Sequence, residues 1–133
     1  MMHFLSSIGA FAGNLIAALL LISAFVFIYV RTTPYVEREQ IANGNAAVAI
    51  ALGGALIGYA VVLARAISFS EWIGEMVLWG LVGLCVQVAG HFILARILPH
   101  LYTAIETRDL AAGVTLASVS LALGLLNAAC MTP

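Results

Sequence analysis

Four long apolar stretches organise this chain. They contain no Asp, Glu, Lys or Arg and measure 26, 19, 20 and 24 residues, at positions 5–30, 46–64, 76–95 and 110–133. A helix needs about 20 apolar residues to cross the ~30 Å hydrocarbon core of a bilayer. An irregular chain at that depth would leave its backbone polar groups without partners. The pattern therefore predicts four transmembrane helices.

The composition of the whole chain agrees with this pattern. Of its 133 residues, 64% are apolar and 8% are charged, whereas about 25% of the residues of a soluble domain are charged. The spans and their short connections occupy nearly the whole sequence, which leaves no room for a soluble catalytic domain. The continuous apolar runs also lack the alternation of a transmembrane β-barrel strand. We therefore expect an all-α polytopic membrane protein.

The distribution of charged and reactive side chains argues against several functions. The formal net charge is −1, and the five basic residues are dispersed arginines, so we expect no nucleic-acid partner. The sequence has no spaced cluster of His, Cys, Asp and Glu, no activated nucleophile and no pair of carboxylates. We therefore expect no enzyme activity, no cofactor and no metal site.

The chain contains an internal sequence repeat. Residues 27–34 (FIYVRTTP) match residues 92–99 (FILARILP) at an offset of 65, with Phe, Ile, Arg and Pro in register. Since twice this offset nearly equals the chain length, we expect two helical hairpins, residues 1–66 and 67–133, within one membrane domain. Each hairpin starts and ends on the same side, so the two copies should be parallel and related by an axis along the membrane normal.

The arginines predict the orientation of the chain. The first and third connections lie on one face and carry Arg31, Arg38, Arg96 and Arg108, whereas the opposite face has only Arg65. The positive-inside rule places both long connections in the cytoplasm and both termini outside. The N-terminal segment lacks the basic residues and the short apolar core of a cleavable signal, so we expect the first span to be retained.

Proline residues predict short helices in the two long connections. Pro34 and Pro99 hold the same place in each repeat, and proline suits the first turn of a helix. The segments that follow, residues 35–42 and 100–107, mix apolar and charged side chains. We therefore expect a short interfacial helix in each connection.

Polar residues predict where the later spans begin. Asn45 and Asp109 stand where the second and fourth spans need an N-cap. Ser68 and Glu71 have the spacing of a capping box just before the third span.

Several segments of the chain resemble a known family. The resemblance lies in Arg-x-x-Pro at Arg31 and Arg96 and in residues 45–47 (NAA), 56–59 (LIGY) and 127–132 (NAACMT). These segments are similar to the YjfL-like family of small bacterial inner-membrane proteins, catalogued as the domain of unknown function numbered 350. The resemblance implies a four-helix, two-repeat protein of the bacterial plasma membrane, often encoded near envelope-stress proteins of the phage-shock type. It implies no activity, cofactor or catalytic residue.

Five positions of the third span form one stripe. Glu75, Trp79, Gly83, Gln87 and His91 recur every four residues, a spacing that places them on one helix face. The equivalent positions of the first repeat are almost wholly apolar, so function beyond packing should depend on the second repeat. Because polar groups inside a membrane are costly, this intramembrane stripe is the main candidate for function.

Two interpretations of Gln87 and His91 stay open. In the first, they line a polar path in a homo-oligomeric channel or transporter-like assembly, where His91 has an ordinary pKa near neutrality. In the second, they hydrogen-bond to neighbouring helices as structural links worth only ~0.6 kcal/mol each. Trp79 argues against an open pore because its indole would obstruct the path. A separate hypothesis is a structural or adaptor protein whose cytoplasmic helices recruit an envelope-stress partner.

A second polar group is predicted near the outer surface. Glu75 lies about one turn inside that surface, where it either pairs with Arg65 across a short hairpin or reaches headgroup water. Asn14 and Asn127 fall in the same outer half of the membrane. Arg65, Asn14 and Asn127 therefore form a predicted outer cluster with Glu75, although amide groups more commonly cross-link helices.

Small residues four positions apart mark close helix contacts. Such pairs are Gly9 and Gly13, Gly54 and Gly58, and Gly113 and Ala117. Four helices packed in a single bundle need fewer faces lined by small residues than this chain has. We therefore expect a homo-oligomer within the lipid bilayer. The two cysteines lie at different membrane depths and should stay unpaired.

Overall fold

Six helices make up the fold in the computed structural model, which describes residues 1–132. They are α1 (Met2–Thr32), α2 (Glu37–Ala42), α3 (Ala46–Phe69), α4 (Ile73–Ile97), α5 (Pro99–Glu106) and α6 (Leu110–Cys130). Four of them, α1, α3, α4 and α6, are long and apolar enough to cross a membrane. The prediction of an all-α polytopic membrane protein with four transmembrane helices is confirmed. We call the side that carries α2 and α5 the loop face, and the opposite side the terminal face.

Two predicted N-caps start the spans that leave the loop face. The Asn45 side chain accepts a hydrogen bond from the backbone N–H of Val48, and α3 begins at the next residue. The Asp109 carboxylate accepts from the backbone N–H groups of Ala111 and Ala112 at the start of α6. Each cap satisfies amides that the first helical turn leaves free. Both N-cap predictions are confirmed.

The predicted capping box before the third span is wrong. Ser68 lies inside α3, which continues to Phe69, and its hydroxyl donates to the carbonyl of Arg65 instead. The start of α4 uses another acid, because the Glu75 carboxylate accepts a 2.9 Å hydrogen bond from the backbone N–H of Glu71. The two helices therefore meet in a tighter turn than the sequence predicts.

The short helices of the connections form close to the expected positions. Pro99 is in the first turn of α5, as predicted. The first connection differs, because α2 begins at Glu37 and Pro34 lies before it. Gly44 then turns the chain with a φ of +81°, a left-handed conformation that favours glycine.

Glycines bring α3 and α6 into direct backbone contact. A Cβ built on Gly54 would lie 2.4 Å from the Cα of Ala117, and one on Gly124 would lie 2.2 Å from the carbonyl oxygen of Gly58. Near the loop face, Gly113 approaches Ala47 in the same way. These contacts occur in the same order along both helices, so α3 and α6 run parallel. Their interface is the most extensive in the fold.

The other pair of spans, α1 and α4, is also parallel. Gly13 packs against Ile73, Leu21 against Gly80, and the ring of Tyr29 against that of His91. Residues 1–11 are all exposed and extend past the start of α4. The equivalence of the two halves, residues 1–66 and 67–133, stays a prediction.

Candidate functional site

The polar stripe of α4 faces the interior of the bundle. Gln87 is 1% exposed and His91 is 7% exposed, and Gly83 is buried between them and the terminal face. Glu75 and Trp79 are half-buried. Because α1, α3 and α6 all pack on α4, the buried part of this stripe lies within one protomer.

Gln87 lies in the space left open by Gly58 of α3 and by the α6 residues that pack against Gly58. Its Nε2 lies 3.2 Å from the point where a Cβ on Gly58 would be, and that same point lies 2.5 Å from the carbonyl oxygen of Ser120. Within residues 1–132 neither Gln87 Oε1 nor Ser120 Oγ has a hydrogen-bond partner, although both atoms are buried. An unsatisfied polar atom in an apolar interior costs several kcal/mol. These two atoms therefore lie where a proton donor would be stabilised.

His91 lies one helical turn closer to the loop face than Gln87. Its ring stands edge-on to Tyr29, with ring centroids 4.9 Å apart, and 6.1 Å from the ring of Phe25. His91 Nδ1 and the Tyr29 hydroxyl are buried and have no partner among the described residues. We call Tyr29, His91, Gln87 and Ser120 the interior row, because each has a buried polar atom that no other group satisfies.

A narrow crevice reaches the interior row between α4 and α6. It is bordered by His91 and Ser120 together with Gly90 and Leu123 and has a volume of about 10 Å³. A single water molecule needs roughly this much space. The crevice therefore limits the row to one small species at a time in this conformation.

Toward the terminal face, the polar side chains are satisfied. Asn127 Nδ2 donates to the carbonyl oxygen of Gly83 at 3.1 Å, and the Tyr59 hydroxyl donates to that of Gly80 at 2.8 Å. Both bonds connect a neighbouring span to α4. They are helix links of the kind considered for Gln87 and His91, but they are made by Asn127 and Tyr59, one to two turns away from Gln87.

The alternative of an ion pair between Arg65 and Glu75 is not realised. Arg65 Nε donates to the carbonyl oxygen of Met131 at 3.2 Å, and its guanidinium lies 5.1 Å from the ring centroid of Phe69. The Glu75 carboxylate accepts a hydrogen bond from the backbone N–H of Glu71, just before α4, instead. Since α3 extends a turn beyond Arg65, this arginine reaches the end of α6 rather than α4.

The three residues of the predicted outer cluster have separate environments. Asn127 is buried against α4 and Arg65 holds the end of α6. Asn14 is half-buried and borders a groove of about 290 Å³ between α1 and the start of α4, beside Glu71 and Trp72. No hydrogen bond found in residues 1–132 joins any two of these three side chains.

A buried carboxylate at the loop face was not predicted from the sequence. Glu37 is 5% exposed, and the Thr33 hydroxyl donates a hydrogen bond to its Oε1. Burial raises the pKa of Glu37 above its ordinary value, and the bond from Thr33 opposes that shift. The adjacent Arg38 and Glu39 are exposed, and no sequence signal separates Glu37 from them.

Two tyrosines share the environment of Glu37. Tyr35 and Tyr102 are each 5% exposed. Burial raises the pKa of Tyr102 to about 12, and burial together with the nearby Glu37 carboxylate raises the pKa of Tyr35 above its ordinary value. Tyr29 of the interior row lies beside Tyr35. The loop-face site is therefore continuous with the interior row.

Asn45 joins the two connections beneath this site. Its Nδ2 donates to the carbonyl oxygens of Ile105 and Glu106 at 3.0 and 3.2 Å. A guanidinium nitrogen of Arg108 donates to the carbonyl oxygen of Asn43 at 2.8 Å. These bonds fix the end of α5 against the start of α3 and so hold Tyr102 over the loop face.

The potential metal ligands and the thiols lie apart from one another in the described residues. Residues 1–132 contain no group of three or more His, Cys, Asp and Glu side chains that would suit a metal ion. Cys85 and Cys130 are free and exposed on the surface of their spans. The distinctive chemistry of the molecule is the set of buried, unsatisfied polar atoms.

Comparison with known proteins places the chain in a family. The family described as Domain of Unknown Function (DUF350) matches residues 2–131. The chain is 34% identical over 131 residues to the inner membrane protein YjfL of Escherichia coli strain K12, covering 98% of this chain and 99% of that protein. It is 32% identical over 83 residues to the transmembrane protein YshE of Bacillus subtilis strain 168, covering 62% of each. No solved structure matches it. With four spans and a full-length match, this chain is a multi-pass membrane protein that belongs to the YjfL-like DUF350 family.

Proposed function

We propose that the protein is transporter-like and carries a small ion through the membrane along the interior row. The observation that supports this proposal is the set of four buried polar atoms without partners on Tyr29, His91, Gln87 and Ser120. Apolar side chains would fill the same space without the cost of unsatisfied polar atoms. A transient ion or water molecule would satisfy each atom in turn.

The path lies within each protomer rather than on an oligomer axis. A path on an oligomer axis would need Gln87 and His91 on an outward face of α4, whereas both are buried against the other spans. The path is closed at the terminal face, since a Cβ on Gly83 would lie 2.3 Å from Val62 and 3.0 Å from Met131. Transport therefore requires a local separation of α4 from α3 and α6, as in gated transporters that alternate between states.

Association of protomers is a separate part of the proposal. Residues 2–11 of α1 project about 15 Å beyond the start of α4, at 1.5 Å per residue, and expose Phe4, Ile8 and Phe11. A second copy of the chain would cover these side chains and approach closest at Gly9, because a Cβ built on Gly9 would meet no atom of its own protomer within 4 Å. Gly9→Leu should then give monomers, whereas Gly53→Leu, at an equally open position of α3, should not. Wild-type protein that is monomeric in lipid nanodiscs would contradict this association.

Purified protein in liposomes tests the path. We expect ion flux down an imposed gradient and loss of flux in both Gln87→Leu and His91→Leu. Ser120→Ala should lower flux at least tenfold, because Ser120 belongs to the interior row. Ser118→Ala is the matched control, since Ser118 is exposed on the same helix and its hydroxyl already donates to Val114. Equal flux in the two serine variants would contradict the path.

The alternative function is that of a structural or adaptor protein of an envelope-stress system. It is favoured by the exposed residues of α2 and α5 at the loop face, which include Arg38, Glu39 and Glu106. This function predicts that wild-type liposomes carry no flux of any ion. It also predicts that charge reversal at Arg38 and Glu39 changes partner recruitment, while Gln87→Leu leaves recruitment intact.

A further inference from the structure

A carboxylate lies buried where the interior row meets the loop face. Glu37 has one side-chain hydrogen-bond donor, the hydroxyl of Thr33, and no arginine of the described chain neutralises it. Its neighbour Arg38 points to the exposed surface. A carboxylate withdrawn from water without a counter-charge is strongly disfavoured and tends to bind a proton instead.

Hydroxyl groups connect this carboxylate to the interior row. Tyr35 lies next to Glu37, and Tyr29 lies next to Tyr35. The hydroxyls of both tyrosines are buried and lie close to each other, and neither forms a hydrogen bond of regular geometry within residues 1–132. Tyr29 in turn contacts His91 edge-on. Each of these groups can both accept and donate a hydrogen bond, which is what the transfer of a proton from group to group requires.

We propose that Glu37 is the proton-binding residue at the loop-face entrance of the interior row, and that the ion carried along the row is the proton. This inference rests on the proposed transport function and names its substrate. A proton needs no coordination shell, so it suits an entrance with one carboxylate and an interior row whose crevice at His91 and Ser120 holds only about 10 Å³. A metal ion would need several more ligands than Glu37 and two or three hydroxyls supply.

The transfer balances in protons and charge. A proton from water at the loop face forms an O–H bond with the Glu37 carboxylate, which becomes a neutral acid. Once a small movement or an entering water molecule connects these groups by hydrogen bonds, the acid gives its proton to the Tyr35 oxygen as Tyr35 releases its own proton to Tyr29, and Tyr29 does the same toward His91. Glu37 returns to the carboxylate, and each hydroxyl ends as it began. His91 Nδ1 receives one proton, which forms an imidazolium or replaces a proton that leaves from the other ring nitrogen.

The groups around Glu37 favour proton binding above the ordinary pKa of glutamate. Tyr35 on the same connection, Tyr29 of α1 and Tyr102 and Glu106 of α5 are the ionisable groups that face this site. The first turns of α3, which packs on α2, carry no ionisable side chain. Burial raises the pKa of Glu37, and the surrounding groups add no positive charge that would lower it.

Infrared difference spectroscopy tests proton binding without any transport assay. We expect wild-type protein in liposomes to show the C=O stretching band of a buried carboxylic acid above the ordinary pKa of glutamate, and Glu37→Gln to lack it. Glu39→Gln, on the same helix but exposed, should keep the band. Thr33→Val removes the hydrogen bond that favours the carboxylate, so the band should persist to higher pH. A wild-type spectrum without the band, or a band that survives Glu37→Gln, would overturn the assignment of Glu37.

Flux measurements then separate this inference from the transport proposal. Glu37→Gln should lower proton flux at least tenfold, and Glu39→Gln should leave it unchanged. Flux of Na⁺ or K⁺ without proton flux would contradict the proton as substrate while the transport proposal stands. No flux of any ion would refute transport itself, and the infrared titration would still decide whether Glu37 binds a proton. If Glu37→Gln does not fold, Glu37→Asp should shift the pH at which the band disappears, and an unshifted band would refute the assignment.

Discussion

Gly124→Ala should disrupt the interface between α3 and α6. The added Cβ would lie 2.2 Å from the carbonyl oxygen of Gly58 and 2.6 Å from its carbonyl carbon. Both atoms belong to helix backbone, so no side chain can rotate away. Since ordinary van der Waals contact begins at 3.4 Å, the two helices must separate locally by about 1 Å.

The size of the effect follows from two opposing contributions. Overfilling a packed interior typically costs about 1–3 kcal/mol, and a backbone clash belongs at the upper end of that range. Replacing glycine by alanine within a helix contributes up to about 1 kcal/mol in the other direction. We therefore expect Gly124→Ala to lower the free energy of unfolding by about 2 kcal/mol. Gly53→Ala, whose Cβ meets nothing within 4 Å, should be neutral or slightly stabilising.

Reversible unfolding in mixed detergent micelles, followed by far-UV circular dichroism, measures both variants. A difference of about 2–3 kcal/mol between Gly124→Ala and Gly53→Ala is expected from these contributions. Equal stability of the two variants would refute the close backbone contact between α3 and α6. Because Gly58 also borders Gln87, Gly124→Ala should reduce flux along the interior row as well.

Three further predictions concern the loop face and the orientation of the chain. Asn45→Ala leaves the carbonyl oxygens of Ile105 and Glu106 without their donor, so it should lower the free energy of unfolding by about 1–3 kcal/mol in the same assay. The matched variant Asp109→Ala, which removes an exposed cap, should lower it by only ~1 kcal/mol. Because folding raises the pKa of Glu37, the stability that this residue contributes is present below the ordinary pKa of glutamate and is lost as the pH rises through the raised pKa. Glu37→Gln should flatten this decline of stability with pH, and an unchanged slope would contradict the prediction. A reporter that works only in the cytoplasm should be silent when fused to the C-terminus, and an active fusion would reverse the predicted orientation.

The spans and their caps could be predicted because their causes are local. Unbroken apolar stretches make helices the only structure that satisfies the backbone in a bilayer. Asn45 and Asp109 cap the residues that directly follow them, so their role needs no knowledge of the tertiary fold. The capping-box prediction at Ser68 was wrong because its cause is not local. The length of α3 depends on its packing and not on the spacing of Ser68 and Glu71.

The candidate site could be predicted only in part. The four-residue spacing places Gln87 and His91 on one face of α4, but it does not say whether that face meets lipid, another protomer or the bundle interior. The answer depends on glycines of α3 and α6 that are distant in sequence, above all Gly58 and Gly124, whose close contact makes room for Gln87. The partners of Arg65 and Glu75 were missed because each lies within reach of several groups.

Glu37 shows why burial of a charge is the hardest of these features to predict. Its local sequence matches that of a solvated helix start, where an acid is favoured by the free backbone amides. Its burial depends on tertiary packing at the loop face, where the Asn45 and Arg108 hydrogen bonds hold α5 against the start of α3. A structural acid needs only the helix start, and exposed Glu39 already supplies one there. The additional burial of Glu37 near the buried hydroxyls of Tyr35 and Tyr29 costs stability without improving the helix, and binding of a proton is the change that offsets this cost.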